Sequence, residues 1–318
     1  MRYGGFVTGA FALLVASAVS GGCNPSSPPV GSQEAMSSSC EGAKLDANGY
    51  CRRPNGWFAK KSCCEVELPA YPSERRNLEA YACPSDVDDV GVAFLDADST
   101  LRISRSGTPT ASHEQDVYIL PFVARRIAEL NDQGYLVAIV SNQGGVAAGF
   151  TDFEVAEGAL VFVAHQLEQL GAKIDYIDFA DQKDDFRKPK TGMADGLDDA
   201  LEGKCGFGVD WETSFMVGDA GYKKDVGGPH PDGRPADDFS NSDRLFAEAL
   251  EIPFSEPADY FGWADYGFHN IRYESQFLGV IDGMQAELAE LETSGDDEAR
   301  AAMLAEELDG LFVINDLD

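Results

Sequence analysis

The chain of 318 residues is 44% hydrophobic, a content that supports a sizeable folded core and excludes an intrinsically disordered chain. Its 55 acidic and 24 basic residues give a formal net charge of -31, which excludes general nucleic-acid binding by surface charge and leaves only a local basic pocket for a polyanion. Adaptation to a salty environment would produce the same acidity without bearing on substrate.

The N-terminal "MRYGGFVTGAFALLVASAVSGGC" has an early cation at Arg2, an apolar stretch from Phe6 to Val19 and small residues before Cys23, the pattern of a secretory signal over residues 1–22. "VSGGC" resembles a bacterial lipoprotein processing site, in which Cys23 would be the lipidated first residue; an ordinary cleaved signal is the alternative. The expectation is an exported protein, lipid-anchored to a bacterial membrane and facing the periplasm or the cell exterior. No other stretch approaches the roughly 20 apolar residues needed to cross a bilayer. Residues 23–38, rich in Pro, Ser and Gly, read as a flexible tether. Residues 39–85 hold five of the seven cysteines and read as a small stapled segment. Apart from Cys23 there are Cys40, Cys51, Cys63, Cys64, Cys83 and Cys205, an even number that suits a disulfide framework in an oxidising compartment. They lack the paired C-x-x-C spacing and neighbouring histidine of a zinc site.

From Val90 short apolar runs alternate with amphipathic stretches: "VAFL", "VYILPFVARRIAELNDQGY", "LVAIVSN", "FEVAEGALVFVAHQLEQLGA", "IDYIDFA", then "SFMVGDA" and "DRLFAEAL". The alternation predicts an α/β fold with a parallel sheet covered on both faces, over residues 86–262. Val123, Ile127 and Leu130 share one face of the first helix, and Leu160, Val163, Leu167 and Leu170 one face of the second. Residues 263–318 read as an acidic helical tail, a solvated helical hairpin broken at Ser294 and Gly295 and packed on the domain.

In an open parallel sheet ligands bind beyond the carboxyl ends of the strands. Polar residues stand directly after the apolar runs: Asp96 and Asp98, Ser141 and Asn142, and Asp219, with Lys188 just before Pro189. Residues two apart on an extended backbone share a face, so Asp96 and Asp98 would repel each other without a cation. Carboxylates, a hydroxyl and a lysine make joint sense for a phosphate and a hard divalent cation.

"DADSTL" looks like the first motif of the haloacid dehalogenase superfamily of phosphatases, and Ser141 in "IVSNQGGV", Lys188 in "RKPKTGM" and Asp219 in "MVGDA" match its other three. "FRKPKTGM", "FMVGDA" and "DFSNSDRLFAEALEIPF" with "EPADYF" are similar to the phosphatase domain of the polynucleotide kinase 3'-phosphatase family. The histidinol and heptose bisphosphate phosphatases share "SNQ" and "RKP" but typically carry a Cys-rich zinc loop where this chain reads "ADQKDDFRKP". The resemblance implies a Rossmann-like three-layer fold with a small or absent cap. It also implies that Asp96 attacks phosphorus while Asp98 protonates the leaving oxygen and later activates water. Magnesium would sit between Asp96, the backbone carbonyl of Asp98 and Asp219, with Ser141 and Asn142 binding phosphate and Lys188 stabilising its charge.

The sequence departs from the family pattern at Ser99, where glycine or another small or acidic residue is usual, and at Lys223, which stands where the fourth motif has its second acid. Asp243 is taken as that acid, with Asp225 and Asp238 as rivals. Arg102, Arg105, Arg187 and Arg244 are candidates for a second phosphate or a nucleotide backbone, with salt bridges inside an acidic body as the alternative. The histidines, His113 and His230 among them, show no ligand spacing and are taken as surface residues. No G-x-x-x-x-G-K-[ST] loop occurs, which excludes the kinase half of a bifunctional enzyme. The reading is an exported magnesium-dependent phosphomonoesterase acting on 3'-phosphorylated nucleotides or polynucleotide ends. Its rivals are a phosphatase of small phosphometabolites and a non-catalytic surface lipoprotein. No segment identifies a protein partner.

Overall fold

The computed structural model describes residues 76–224 and 230–317, with residues 42, 44–45, 51–52 and 54. The signal, Cys23, the tether, most of the cysteine-rich segment and Asp225 lie outside the described residues. Within that segment β1 (Lys44–Leu45) pairs antiparallel with β2 (Cys51–Arg52).

The centre is a five-stranded sheet ordered β7-β6-β3-β8-β9, parallel throughout. Its strands are β3 (Val92–Leu95), β6 (Leu136–Asn142), β7 (Tyr176–Ala180), β8 (Phe215–Val217) and β9 (Phe254–Ser255). Every residue of β3 is buried, as expected of a strand covered on both faces. Alternation divides its side chains between two cores. Ala93 and Leu95 face one side with Val137, Ile139, Ile177 and Phe179, under helices α1 (Val123–Asp132) and α3 (Phe153–Gln169). Val92 and Phe94 face the other with Ala138, Val140 and Met216, under α4 (Gly192–Cys205) and α5 (Ser242–Ala249). Between β6 and α3 lies the single turn α2 (Gly144–Ala147). Beyond β3 the chain makes an antiparallel hairpin, β4 (Arg102–Ile103) with β5 (Tyr118–Ile119), before α1 begins.

The C-terminal residues form two helices that pack on the domain. After α6 (Pro257–Phe261) and a 3-10 turn at Trp263–Tyr266 come α7 (Glu274–Ser294) and α8 (Glu298–Asn315), joined at Gly295 with φ 70°. Phe277, Val280, Ile281 and Met284 of α7 and Leu304, Leu308, Leu311 and Ile314 of α8 belong to the same core as Ala93 and Leu95. The acidic residues that dominate this stretch of sequence leave an inward apolar stripe intact. Two polar groups complete the seam: Glu307 accepts from the Phe122 amide at 2.6 Å, and Asn315 both accepts from and donates to the Ile119 backbone, at 2.7 and 2.9 Å. No helix among the described residues is long and apolar enough to cross a membrane. A disulfide joins Cys83 to Cys205 at the end of α4, across 122 positions.

Candidate active site

The strand ends converge as an open α/β sheet requires. Asp96 follows β3, its amide bonded to the Val217 carbonyl at 2.9 Å, so the central strand delivers its carboxylate beside the end of β8. Asp219 follows β8, and Asp243 enters from the first turn of α5, where its Oδ2 accepts from the Ala220 amide at 3.0 Å. One carboxylate oxygen from each of Asp96, Asp219 and Asp243 lies within 4.8 Å of the others. Gly218 permits the approach of Asp243, because a Cβ there would overlap its carboxylate.

Lys188 supplies the counter-charge. Fully buried, its Nζ reaches Asp96 Oδ1 at 2.7 Å, Asp243 Oδ1 at 2.8 Å and the Val140 carbonyl at 2.6 Å. Burial opposes its charge, but Asp243 and Asp96 outweigh that and raise its pKa. Three acids still face one cation. Burial, with Asp243 and Asp98 adding to it against Lys188, pushes Asp96 up to about 7. Burial, Asp96 and Asp243 carry Asp219 well above the usual carboxylate range. Closely set oxygen donors whose repulsion is only partly relieved are the donor set of a hard divalent cation such as magnesium, and the trio fits one.

Asp98 lies apart from this trio. Its Oδ2 accepts from Gln143 Nε2 at 2.7 Å, and its Oδ1 lies 3.0 Å from Arg102 Nη2. Gln143 also donates to Ser141 Oγ at 2.9 Å. Gln143 went unassigned from sequence, although strand alternation puts it on the same side as Ser141. Asn142, on the opposite side, is corrected from phosphate ligand to brace: its Oδ1 accepts from the Lys188 amide at 2.9 Å and its Nδ2 donates to the Lys188 carbonyl at 3.0 Å. Lys188 thus enters a cis peptide bond with Pro189 already fixed against β6. Ser99 takes the left-handed φ of 61°, a conformation in which glycine is free of the steric cost that serine bears.

The four arginines separate. Arg105 donates to the Val117 carbonyl at 2.6 Å and lies over the Tyr118 ring, tying the β4–β5 hairpin. Arg244 donates to the Gly221 carbonyl at 2.9 Å and pairs with Glu248. Arg102 is fully buried beneath Asp98 and so is not the exposed phosphate binder expected. Only Arg187 remains without a hydrogen bond or ion pair of its side chain among the described residues; its Nη2 lies 3.0 Å from where a Cβ on Gly144 would stand. Asp238 caps the Gly221 and Tyr222 amides at 3.1 and 2.7 Å and pairs with Arg272, so Asp243 alone of the two described candidates joins the trio. His113 and His230 are buried, correcting the surface assignment. The His230 ring stands 4.4 Å from that of Tyr222 and lies between Asp232 and Glu256, with Nε2 2.5 Å from the latter.

A parallel sheet carrying Asp-x-Asp, serine and a further acid at its strand ends, joined there by a lysine from the loop after β7 and an acid from α5, defines a phosphatase of the haloacid dehalogenase type, acting on phosphomonoesters. Residues 91–261, more than half of the chain, match the polynucleotide kinase 3 phosphatase family, and the chain belongs to that family. A D-glycero-beta-D-manno-heptose-1,7-bisphosphate 7-phosphatase of Haemophilus ducreyi is 30% identical over 138 residues, spanning 40% of this chain and 70% of that protein. A polynucleotide 3'-phosphatase of Arabidopsis thaliana is 26% identical over 191 residues, 55% of this chain and 24% of that one. Among solved structures, the D,D-heptose 1,7-bisphosphate phosphatase of B. bronchiseptica complexed with magnesium and phosphate aligns over 41% of this chain and 71% of its own. It is 22% identical to this chain, with a TM-score of 0.33.

Proposed function

We propose that the protein is an exported, magnesium-dependent phosphomonoesterase that works through an aspartyl-phosphate on Asp96 and acts on 3'-phosphorylated nucleotides or polynucleotide ends. The observation that carries the substrate class is the family match over residues 91–261, which contains Asp96, Asp98, Ser141, Lys188, Asp219 and Asp243 together. Arg187, unpaired at the start of α2, is the side chain on offer for a neighbouring phosphate of a nucleotide chain.

In this reading the Asp96 carboxylate attacks phosphorus as the ester P–O bond breaks, and Asp98 gives its proton to the departing alcohol. Water then attacks the aspartyl-phosphate, Asp98 takes the proton back, and phosphate leaves with the Asp96 carboxylate restored. Lys188 balances charge on the phosphoryl oxygens, and Ser141, whose oxygen accepts from Gln143, has its hydroxyl proton to give to one of them. Asp96, Asp219 and Asp243 would hold magnesium, which supplies neutralisation of the incoming dianion.

The likeness to heptose bisphosphate phosphatases supports a second reading, small sugar phosphates as substrates. Against it, residues 181–187 contain no cysteine for the zinc loop typical of that group. Phosphate release with magnesium from a 3'-phosphorylated oligonucleotide, mononucleotides and sugar phosphates, beside Asp96→Asn, separates them. Turnover of sugar phosphates alone would overturn the polynucleotide reading, and no turnover of any would overturn both.

Export and lipidation at Cys23 rest on the N-terminal pattern, and export also on the Cys83–Cys205 disulfide, a bond that persists in oxidising compartments. Labelled fatty acid should enter the wild-type chain expressed in bacteria and be absent from Cys23→Ala; equal labelling of both would defeat this assignment.

A further inference from the structure

Arg102 occupies an expensive position. It is 1% exposed, and its Nε, Nη1 and Nη2 have no hydrogen-bond partner among the described residues. Among the described residues its one ion pair is with Asp98, whose Oδ1 lies 3.0 Å from Nη2 without the alignment of a hydrogen bond. Donors left unmade on a buried guanidinium weaken a fold, and an unbranched apolar side chain of similar length would fill the volume at less cost. At 1% exposure Arg102 presents no open surface of its own. What its charge does reach is a carboxylate that is 32% exposed and is held at its other oxygen by Gln143.

We propose that Arg102 is a positioning residue for Asp98, holding one carboxylate oxygen while Gln143 holds the other, so that the acid stays aimed at the leaving oxygen of the phosphomonoester. This rests on the reading of Asp98 as the proton donor to the departing alcohol. The strand pairing explains how the arginine keeps its place: Arg102 lies opposite Ile119 in the β4–β5 hairpin, and the Ile119 backbone is bonded in turn by Asn315. The device is stiff on the protein side and open on the side of the substrate.

Leaving-group dependence tests this, because a phenolate departs unaided whereas an alkoxide needs the proton. Full-length wild type, Arg102→Met and Arg102→Lys are loaded with magnesium, and first-turnover release of the leaving group is followed for p-nitrophenyl phosphate and for benzyl phosphate. Arg102→Met should slow benzyl alcohol release about 100-fold and p-nitrophenolate release less than about 3-fold, in keeping with the usual contribution of a placed general acid. KM for both esters should stay near the wild-type value. Arg102→Lys should return most of the loss, and the melting temperature of Arg102→Met should equal or exceed that of wild type. Equal losses on both esters, a rise in KM with kcat unchanged, or a lowered melting temperature that accounts for the lost activity would each overturn the proposal. Should Arg102→Met not fold, Arg102→Lys decides: benzyl alcohol release slowed no more than p-nitrophenolate release would overturn the proposal. A wild type inactive on both esters would instead defeat the phosphatase chemistry on which the proposal rests.

Discussion

The crowding of Asp96, Asp219 and Asp243 makes a quantitative statement about pH and metal. In the folded protein Asp96 rises from its ordinary 3.8 to about 7, so between those values the native chain keeps a proton that the unfolded chain has lost. The state that binds more protons is weakened as they are withdrawn, so stability falls as pH rises through this window. At about 1.4 kcal/mol for each tenfold, the full span is worth about 4 kcal/mol as a ceiling, on the order of 10 °C of melting temperature for a domain of this size. Asp219, raised by the same causes, acts in the same direction, while Lys188, raised in its turn, stays charged throughout. Magnesium competes with the proton, so its stabilisation should be small at pH 5 and reach about 3 kcal/mol at pH 8 when free metal is 100-fold above its Kd. Melting curves in chelator and in excess magnesium at pH 5, 6, 7 and 8 measure both effects. Asp96→Asn is the control, since the self-repulsion of an acidic body is common to both proteins and cancels in their difference. A chelated wild type whose melting temperature runs parallel to that of Asp96→Asn, or a magnesium increment independent of pH, would refute the reasoning.

Gly218→Ala should push Asp243 out of the trio. Magnesium affinity by calorimetry should fall at least about tenfold, the loss typical of a displaced ligand support, while the far-ultraviolet circular dichroism is unchanged. Asn142→Ala removes both bonds to the Lys188 backbone and should cost about 1–3 kcal/mol in urea unfolding, with kcat falling more than KM rises. Cys83→Ser opens a loop of 122 positions and should cost about 2–5 kcal/mol, lowering the melting temperature without changing kcat at 25 °C.

How far the site could be read from sequence depended on distance along the chain. Asp96, Ser141 and Asp219 each stand at the end of an apolar run and Lys188 directly before a proline, local signals, and the sheet brings such strand ends together whatever the loops do. Asp243 is visible only as an acid at the start of a helical pattern; that Ala220 and Gly218 accommodate it is a tertiary fact. Alternation inside "VSNQ" does contain the division of labour, with Ser141 and Gln143 on one side and Asn142 on the other, but the Lys188 backbone that Asn142 meets is 46 positions away. Arg102 has a local trace as well, a charge between Leu101 and Ile103 in a strand, a setting that suits an internal partner better than a diffusing phosphate. In the C-terminal helices the acids are numerous, yet the buried positions of α7 and α8 recur every three or four residues, so period carries the packing where composition does not.

The amide of Asn315 gives this domain an order of assembly. Ile119 finds the partner for its outward N–H and C=O in a residue 196 positions further along the chain, and Ile119 is the strand neighbour of Arg102. During synthesis the sheet and its carboxylates can form long before the hairpin beside them has its final support. A chain stopped short of Asn315 should therefore fold its sheet yet show a protease-sensitive segment between residues 101 and 122, which limited proteolysis would detect. A hydrolase made in this way stays unfinished beside its own carboxylates until residue 315 has left the ribosome.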